Sequence, residues 1–313
     1  MNRGPAEQRV LHGTSVQRAA SRQIAIGGLL IELAATDGGP RIALEGAVAR
    51  FQTEGAVPDA RVEVAWGELF DAPAGREVFD SGAHWRLHED GDGLAFSFRS
   101  PAFGAVPVRK ARFSRDFARG EVVYHRPYFG EGAAFYPLGY PLDELLVTHL
   151  LAAGRGVELH ACGIVDGAGR GHLFVGQSGA GKTTMARHWE RHAGAVVLSD
   201  DRIVVRRHEG ELRMHGTPWH GEAALSAPGS APLARVYFIR RDGTAGATPR
   251  FRPVGGAAYA ARLYSCVFCP FYSAPAVEYT LGALADIADR VPGCEVAYLL
   301  GTDVAAAAAA LEG

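Results

Sequence analysis

The chain has 313 residues, a net charge of −2 and 21% charged residues. A chain so close to neutral lacks the basic surface that nucleic acids or anionic membranes require, so neither is expected as a partner. No apolar run reaches the roughly 18 residues of a membrane-spanning helix, and four cysteines are too few for a disulfide scaffold. We therefore expect a cytoplasmic protein.

The first half of the sequence is rich in strand patterns. Residues 1–22 are polar, contain several arginines and lack the apolar core of a secretion signal, so we interpret them as a flexible tail. Short alternating runs then recur, at residues 61–64, 94–98 and 121–124, with glycine-rich turn signals between them. The sequence thus predicts a smaller, antiparallel β-rich N-terminal domain which, with its connector, covers residues 23–140.

Aromatic side chains are concentrated in the connector, residues 128–140. They are Tyr128, Phe129, Phe135, Tyr136 and Tyr140. Such a group either lines a pocket or packs a domain junction, and the tendency of aromatic rings to dominate buried contacts favours packing.

From residue 141 the pattern changes to alternating helices and strands, which predicts a second domain over residues 141–313. Helices are predicted at 141–153, 182–192, 257–264, 276–290 and 303–311. Strands are predicted at 157–165, 173–175, 195–199, 203–207, 212–215, 235–240 and 296–300.

A glycine-rich loop stands between the predicted strand 173–175 and the predicted helix 182–192. It has the form G-x-x-x-x-G-K-[ST], the sequence of a phosphate-binding P-loop. Unpaired N–H groups at the start of the helix would bind phosphate, Lys182 would reach the β- and γ-phosphates, and the Thr183 hydroxyl would meet Mg²⁺. The predicted ATP-binding residues are Gly176, Gln177, Ser178, Gly179, Ala180, Gly181, Lys182, Thr183 and Thr184.

Two acids and a histidine complete the predicted chemistry. Asp200 and Asp201 end an apolar strand one helix after the loop, where one carboxylate can support Mg²⁺ and the other can accept the proton of an attacking hydroxyl. His160 lies on the strand before the P-loop strand, and a short hairpin would make the two strands neighbours. The alternatives are solvated acids at a strand end and a core histidine with its hydrogen bonds satisfied.

Two further segments contain residues of metal-binding or lid-forming type. Residues 216–222 contain Trp219, His220 and Glu222; they form either a lid whose Glu222 joins the metal ligands or, as the local chemistry favours, a rigid turn with a packed tryptophan. Cys266 and Cys269 provide only half of a zinc site, which favours two cysteines packed in an apolar segment.

Taken together, the histidine strand, the glycine loop and Asp200-Asp201-Arg202 resemble the HPr kinase/phosphorylase group, whose nucleotide site is similar to that of phosphoenolpyruvate carboxykinase. The match covers roughly residues 141–300. The resemblance implies an α/β P-loop kinase core, ATP and Mg²⁺ as cofactors, His160 near the transferred phosphate, Asp201 as catalytic base beside Lys182, and Asp200 with Thr183 at the metal. The order of the two aspartates is open.

One departure from that group concerns residues 214–219. HPr kinases carry a Glu-x-x-Gly-x-Gly-like signature after the Asp-Asp strand, whereas this chain has Met-His-Gly-Thr-Pro-Trp. That form looks like HPr-kinase-related proteins found beside peptide-modification genes, including kinases of lasso-peptide precursors. The acceptor is therefore open.

The function predicted from the sequence is an ATP-dependent phosphotransferase acting on a serine-type hydroxyl of a peptide, protein or small molecule. The alternatives are a nucleotide-binding regulator with little or no transfer activity and a carboxykinase-like enzyme acting on a small acid. The sequence is compatible with a homo-oligomer.

Overall fold

The computed structural model describes residues 21–71, 75–82, 84–177, 179–241 and 249–298. Most of the predicted tail, Ser178, the end of the predicted strand 296–300 and the predicted helix 303–311 lie outside these ranges. The described part is a mixed α/β structure dominated by two large sheets. Its helices are all too short or too polar to cross a membrane.

Eleven strands and one short helix form the first part of the described chain. They are β1 (Ser21–Ile26), β2 (Leu29–Ala35), β3 (Arg41–Ile42), α1 (Gly46–Ala49), β4 (Gln52–Thr53), β5 (Ala60–Gly67), β6 (Glu77–Asp80), β7 (Trp85–Asp90), β8 (Gly93–Phe98), β9 (Arg109–Ser114), β10 (Arg119–His125) and β11 (Ala134–Phe135). The three predicted alternating runs lie in β5, β8 and β10. In β5, Ala60, Val62 and Val64 are buried and the residues between them are exposed, which is the period-two pattern of a sheet with one covered face.

The first sheet has the strand order β4-β1-β2-β5-β10-β9-β8-β7-β6. Most neighbours are antiparallel, but β5 lies parallel to both β2 and β10. The predicted antiparallel arrangement therefore holds for most strand pairs and is wrong for the two pairs of β5. The two parallel pairs join segments distant in sequence, and local alternation does not reveal such pairing.

The second part of the described chain contains the remaining elements. They are α2 (Leu142–Ala152), β12 (Val157–Val165), β13 (Gly171–Val175), α3 (Lys182–Trp189), β14 (Val196–Ser199), β15 (Arg202–His208), β16 (Glu211–His215), β17 (Ser230–Arg241), β18 (Arg250–Val254), α4 (Gly256–Tyr264), β19 (Val267–Phe268), α5 (Ala274–Arg290) and β20 (Gly293–Tyr298). The predicted hairpin between β12 and β13 is present, with Ala161 opposite Val175.

The second sheet has the order β13-β12-β15-β16-β17-β20-β18, and β13 also pairs with β17. Strand β12 has a central position, because its first half pairs with β15 and its second half with β14. The loop between β14 and β15 contains Asp200 and Asp201, and it therefore lies against the middle of β12.

Helix α2 packs its apolar side on the first sheet. Leu142, Leu146 and Leu150 are fully buried in the same core as the strands β1, β2 and β5. A second core lies under α4 and α5, and a third lies between α3 and strands β12, β13 and β17. The predicted boundary at residues 140/141 stays a prediction, and the core on its N-terminal side includes α2.

Candidate active site

The glycine loop, residues 176–181, connects the fully buried strand β13 to α3. Gly179 and Gly181 have φ values of 81° and 114°, a region that side chains with a Cβ rarely adopt. A Cβ on Gly176 would lie 2.7 Å from that of Ala180, and Ala180 N–H donates to the Gln177 carbonyl at 3.0 Å. The sequence therefore needs these three glycines to turn tightly into the helix.

Lys182 begins α3 and is almost entirely buried, with 5% exposure. Its ammonium group donates to the carbonyl oxygens of Gly176 at 2.7 Å and Gln177 at 3.2 Å. Burial lowers the pKa of Lys182, and the negative charge of Asp201 partly opposes that shift. The lysine thus lies inside the loop and within electrostatic reach of Asp201.

His160 and Asp201 form the second part of the site. His160 Nε2 lies 3.0 Å from Asp201 Oδ1, and both side chains are about one quarter exposed, at 23% and 25%. The pairing follows from the sheet, because His160 stands opposite Arg202 in the ladder between β12 and β15. The structure therefore brings His160 and Asp201 into contact, and Lys182 lies within electrostatic reach of Asp201.

The pKa of Asp201 lies below its ordinary value. Burial works against ionisation, but the hydrogen bond from His160 and the positive charges of Arg202, His160 and Lys182 outweigh it. Asp201 is therefore a carboxylate at neutral pH, as a group that accepts a proton must be.

Arg202 binds the other oxygen of Asp201 and itself pairs with two glutamates. Its guanidinium donates to Asp201 Oδ2, and its Nε lies 3.0 Å from Glu144 Oε1 on α2 and 3.7 Å from Glu158 Oε1 on β12. The guanidinium also lies over the ring of Phe268, 4.2 Å from the ring centre. Sequence reasoning named Arg202 but not these partners, because they come from three distant segments.

Asp200 has a different environment from Asp201. Its side chain is buried, and its two oxygens accept hydrogen bonds from the backbone N–H groups of Gly221 at 2.8 Å and Ala223 at 2.9 Å. These bonds fix the segment that carries Glu222. The predicted role of Asp200 at a metal stays a prediction, while the geometry gives it a structural role.

The turn at residues 216–222 is held from several sides. Ser199 Oγ donates to the Trp219 carbonyl at 2.6 Å, Thr217 Oγ1 donates to the Arg202 carbonyl at 2.7 Å, and Trp219 Nε1 donates to Asp143 Oδ2 at 3.0 Å. The favoured interpretation, a rigid turn with a packed tryptophan, agrees with these contacts. His220 is exposed on this turn.

The predicted metal ligands do not form a protein cage. Among the described residues, no group of three or more His, Cys, Asp or Glu side chains is arranged to hold a metal ion. Glu222 is exposed, and no hydrogen bond or ion pair in the described chain joins it to either aspartate. Thr183 is half-buried in the first turn of α3. This set fits a Mg²⁺ that arrives with a nucleotide, because such ions take only one or two protein carboxylates and complete their shell with phosphate and water.

A cavity of about 490 Å³ adjoins the glycine loop, a feature that sequence reasoning missed. One wall consists of residues 175–177, 179 and 180, and the opposite walls include Phe238 and Arg240 of β17, Arg262 of α4 and Glu295 of β20. Glu295 accepts from Arg240 at 3.1 Å and from Arg262 at 3.0 Å, which ties the three elements together. The volume of this cavity is that of a small-molecule site.

The remaining candidates have mainly structural surroundings. Cys266 is buried, and Cys269 Sγ accepts a hydrogen bond from Thr280 at 3.4 Å, as expected for packed cysteines. Most of the aromatic connector packs as predicted, with Phe129, Phe135 and Tyr136 against the first core. Tyr140 is the departure, since it is 69% exposed.

Comparisons with solved structures give a distant likeness. No family model matches the chain, and no curated protein matches it. Among solved structures, it is similar to the HPr(Ser) kinase/phosphatase from Coxiella burnetii, with 12% identity and a TM-score of 0.29 over 50% of this chain and 99% of that one. The likeness is distant, and the function is therefore inferred from the residues and contacts of this chain.

Replacing Asp200 by alanine should destabilise the protein by about 2 to 4 kcal/mol, because two buried N–H groups lose a charged acceptor. Asp200→Asn should cost less, since one acceptor oxygen remains. Urea unfolding measures both. Asp166, which accepts two backbone N–H groups in the turn between β12 and β13, provides a matched control as Asp166→Asn. An Asp200→Asn protein with normal stability and a raised Mg²⁺ requirement would instead assign the residue to the metal.

Proposed function

We propose that this chain is an ATP-dependent phosphotransferase that moves the γ-phosphoryl group to a serine-type hydroxyl. The observation that carries the proposal is the contact between His160 and Asp201, with Lys182 of the glycine-loop segment within electrostatic reach of that carboxylate. A cation for phosphate, a carboxylate for a hydroxyl proton and an imidazole that orients the carboxylate are the groups that phosphoryl transfer uses.

The nucleotide would bind with its phosphates in the loop. The first N–H groups of α3 have no acceptor within the helix and carry partial positive charge, which favours an anion at this end. Lys182 would exchange its bonds to the loop carbonyls for bonds to phosphate oxygens. The adjoining 490 Å³ cavity offers space for the nucleoside.

In the transfer step, the acceptor oxygen bonds to the γ-phosphorus while the bond to the β,γ-bridging oxygen breaks. ADP leaves with that electron pair, and the hydroxyl proton passes to Asp201. A carboxylate with a lowered pKa is a weak base, so Asp201 would mainly orient the hydroxyl and take the proton late, as suits a loose transition state. Arg202 and His160 hold the carboxylate in place by binding one oxygen each.

Mg²⁺ bound with ATP would offset phosphate charge, with the Thr183 hydroxyl and an aspartate as its protein ligands. The resemblance to the HPr kinase group implies Asp200 in this role but leaves the order of the two aspartates open, and Asp201 is the more exposed of the two carboxylates.

The proposal is tested by calorimetric ATP binding and by mass spectrometry of candidate acceptors after incubation with ATP and Mg²⁺. HPr, free serine and short serine peptides are the three acceptor classes. We expect one phosphate on a serine-type acceptor and none on HPr, because residues 214–219 depart from the HPr-kinase signature. Efficient transfer to HPr would contradict that expectation, and tight ATP binding without any transfer would favour a regulator.

His160→Ala should lower phosphoryl transfer on the order of 10-fold or more without unfolding the protein. Loss of the His160 hydrogen bond and charge raises the pKa of Asp201, so the carboxylate becomes protonated at higher pH. The acid side of the kcat/KM profile should therefore shift to higher pH than in the parent protein.

A matched control for this variant is the pair His172 and Asp166, which lie 3.1 Å apart at the other end of β13. Because His172 is fully buried, His172→Ala should lower the melting temperature and leave the activity of the folded fraction normal. The same outcome for His160→Ala would make His160 a purely structural residue.

A further inference from the structure

Arg202 lies between three acidic side chains. Its Nε is 3.0 Å from Glu144 Oε1 and 3.7 Å from Glu158 Oε1, and the other end of its guanidinium donates to Asp201. In the described part of the chain, no other cation lies within ion-pair distance of either glutamate. One guanidinium charge therefore faces three carboxyl groups, and the balance of charge depends on which of them are ionised.

Strand β12 brings this group together. Glu158 and His160 are two residues apart on the strand and therefore project from the same face. In the sheet, His160 stands opposite Arg202, and Glu158 stands opposite Phe268 of β19, whose ring centre lies 4.2 Å from the guanidinium. Glu144 comes from the first turn of α2. One face of β12 thus carries the histidine of the candidate site and a glutamate beside Arg202.

Glu158 is the member of this group least suited to carry a charge, because it has no exposure to solvent. Its Oε2 accepts a hydrogen bond from Thr148 at 2.9 Å, whereas its Oε1 has no hydrogen-bond partner in the described part of the chain. Two carboxylates are both acceptors and repel each other, but a proton on one of them lets the pair bond. A proton on Glu158 Oε1, donated to Glu144, would therefore satisfy the unpaired oxygen.

The electrostatic surroundings of Glu158 favour the same arrangement. Burial and the charge of Glu144 raise its pKa well above the ordinary value, and a hydrogen bond between the two glutamates adds to that shift. Thr148 and Arg202 act in the opposite direction without cancelling it. Glu144 then remains the ionised partner of Arg202, at the shorter of the two distances.

We propose that Glu158 carries a proton at neutral pH and donates it to Glu144. Glu144, the ionised glutamate, is then a positioning residue for Arg202 and thereby for Asp201. The positioning role rests on the proposed function, whereas the shared proton does not. With Glu158 neutral, Arg202 has one ionised partner on each side, so the guanidinium is fixed and the carboxylate of Asp201 keeps one orientation towards the acceptor hydroxyl.

The kinetic test compares two replacements of Glu158. Glu158→Ala should lower kcat about 10-fold with an unchanged KM for ATP, because Glu144 loses its donor and Arg202 loses its fixed position. Glu158→Gln should restore kcat, since the amide N–H donates to Glu144 as the proton did. Glu144→Gln should lower kcat about 10-fold, because it removes the ionised partner of Arg202. Asp59→Asn is the matched control: it breaks an ion pair with Arg155, at 2.7 Å and about 30% exposed, and should leave kcat of the folded fraction normal.

Infrared spectroscopy at pH 7 detects the proton directly and needs no substrate. The difference spectrum between the parent protein and Glu158→Gln should contain the C=O stretch of a protonated carboxyl group, and the difference between the parent and Asp59→Asn should not. An absent band in the first spectrum, or a loss of kcat in Glu158→Gln as large as in Glu158→Ala, would overturn the proposal. A band together with parent-like kcat in Glu158→Ala and Glu144→Gln would overturn the positioning role. If the parent protein binds no ATP or transfers no phosphate, the proposed function fails, and the band then decides the shared proton by itself.

Discussion

Lys182→Ala is expected to weaken ATP binding about 10- to 100-fold and to reduce turnover to near background. In the free protein the ammonium group is buried and bonded to two loop carbonyls, so it is already positioned where phosphate oxygens would replace those carbonyls. A hydrogen bond between charged groups contributes about 1.5 to 3 kcal/mol, which corresponds to the expected change in affinity. The larger loss in turnover follows because the lysine also offsets charge that develops in the transition state.

Calorimetry with ATP and Mg²⁺ measures the affinity, and release of labelled phosphate or its transfer measures turnover. Lys110→Ala is the matched control, since Lys110 is the other lysine of the chain and lies in β9 of the first sheet. Thermal melts of both variants separate lost binding from lost folding. ATP affinity and turnover equal to the parent protein in Lys182→Ala would exclude the loop as the phosphate site.

Most elements after residue 141 were accessible from sequence because they carry a local signal. The nine-residue strand β12 and the hairpin of β15 and β16 have the predicted positions, since runs of β-branched residues and the turn at Glu209 and Gly210 define them. Helix α3 ends at Trp189, three residues before the predicted end, which is a usual difference for an element boundary predicted from sequence. Strands β18 and β19 were missed, because each is short and exists through its partner, β20 or β12.

The candidate site also depends on partners that are distant in sequence. The glycine loop, His160 and the two aspartates were found from residue type and spacing, and the histidine-bearing strand was placed beside the loop strand because a short hairpin joins them. The sequence could not decide which of Asp200 and Asp201 is the base and which supports the metal, since adjacent residues share every local feature. Their surroundings differ only through distant partners: His160 and Lys182 for Asp201, and the backbone of Gly221 and Ala223 for Asp200.

The aromatic connector illustrates a different limit. Five aromatics in thirteen residues indicated either packing or a pocket, and the structure divides them by position. Phe129 and Phe135 pack together with Trp66, at ring distances of 5.2 and 5.8 Å from it, whereas Tyr140 stays exposed. The difference depends on which strand ends meet the connector, and this is set by the order of strands in the sheet.

Asp201→Asn should lower the rate of phosphoryl transfer by about 10²- to 10⁴-fold while leaving ATP affinity largely unchanged. The amide has the shape of the carboxylate but does not take a proton, and it offers one acceptor oxygen where His160 and Arg202 now bind two.

Single-turnover kinetics at saturating ATP isolate the chemical step, and Asp200→Asn is the adjacent control. Since Asp200 fixes a backbone turn, its variant should lose stability and retain the rate in its folded fraction at high Mg²⁺. A large rate loss in Asp200→Asn with a normal rate in Asp201→Asn would reverse the two assignments. Small and equal effects in the two variants would show that neither aspartate acts as a base. If Asp201 is the base, its ionised carboxylate, 3.0 Å from His160 and within electrostatic reach of Lys182, should affect the chemical step far more than Asp200 does.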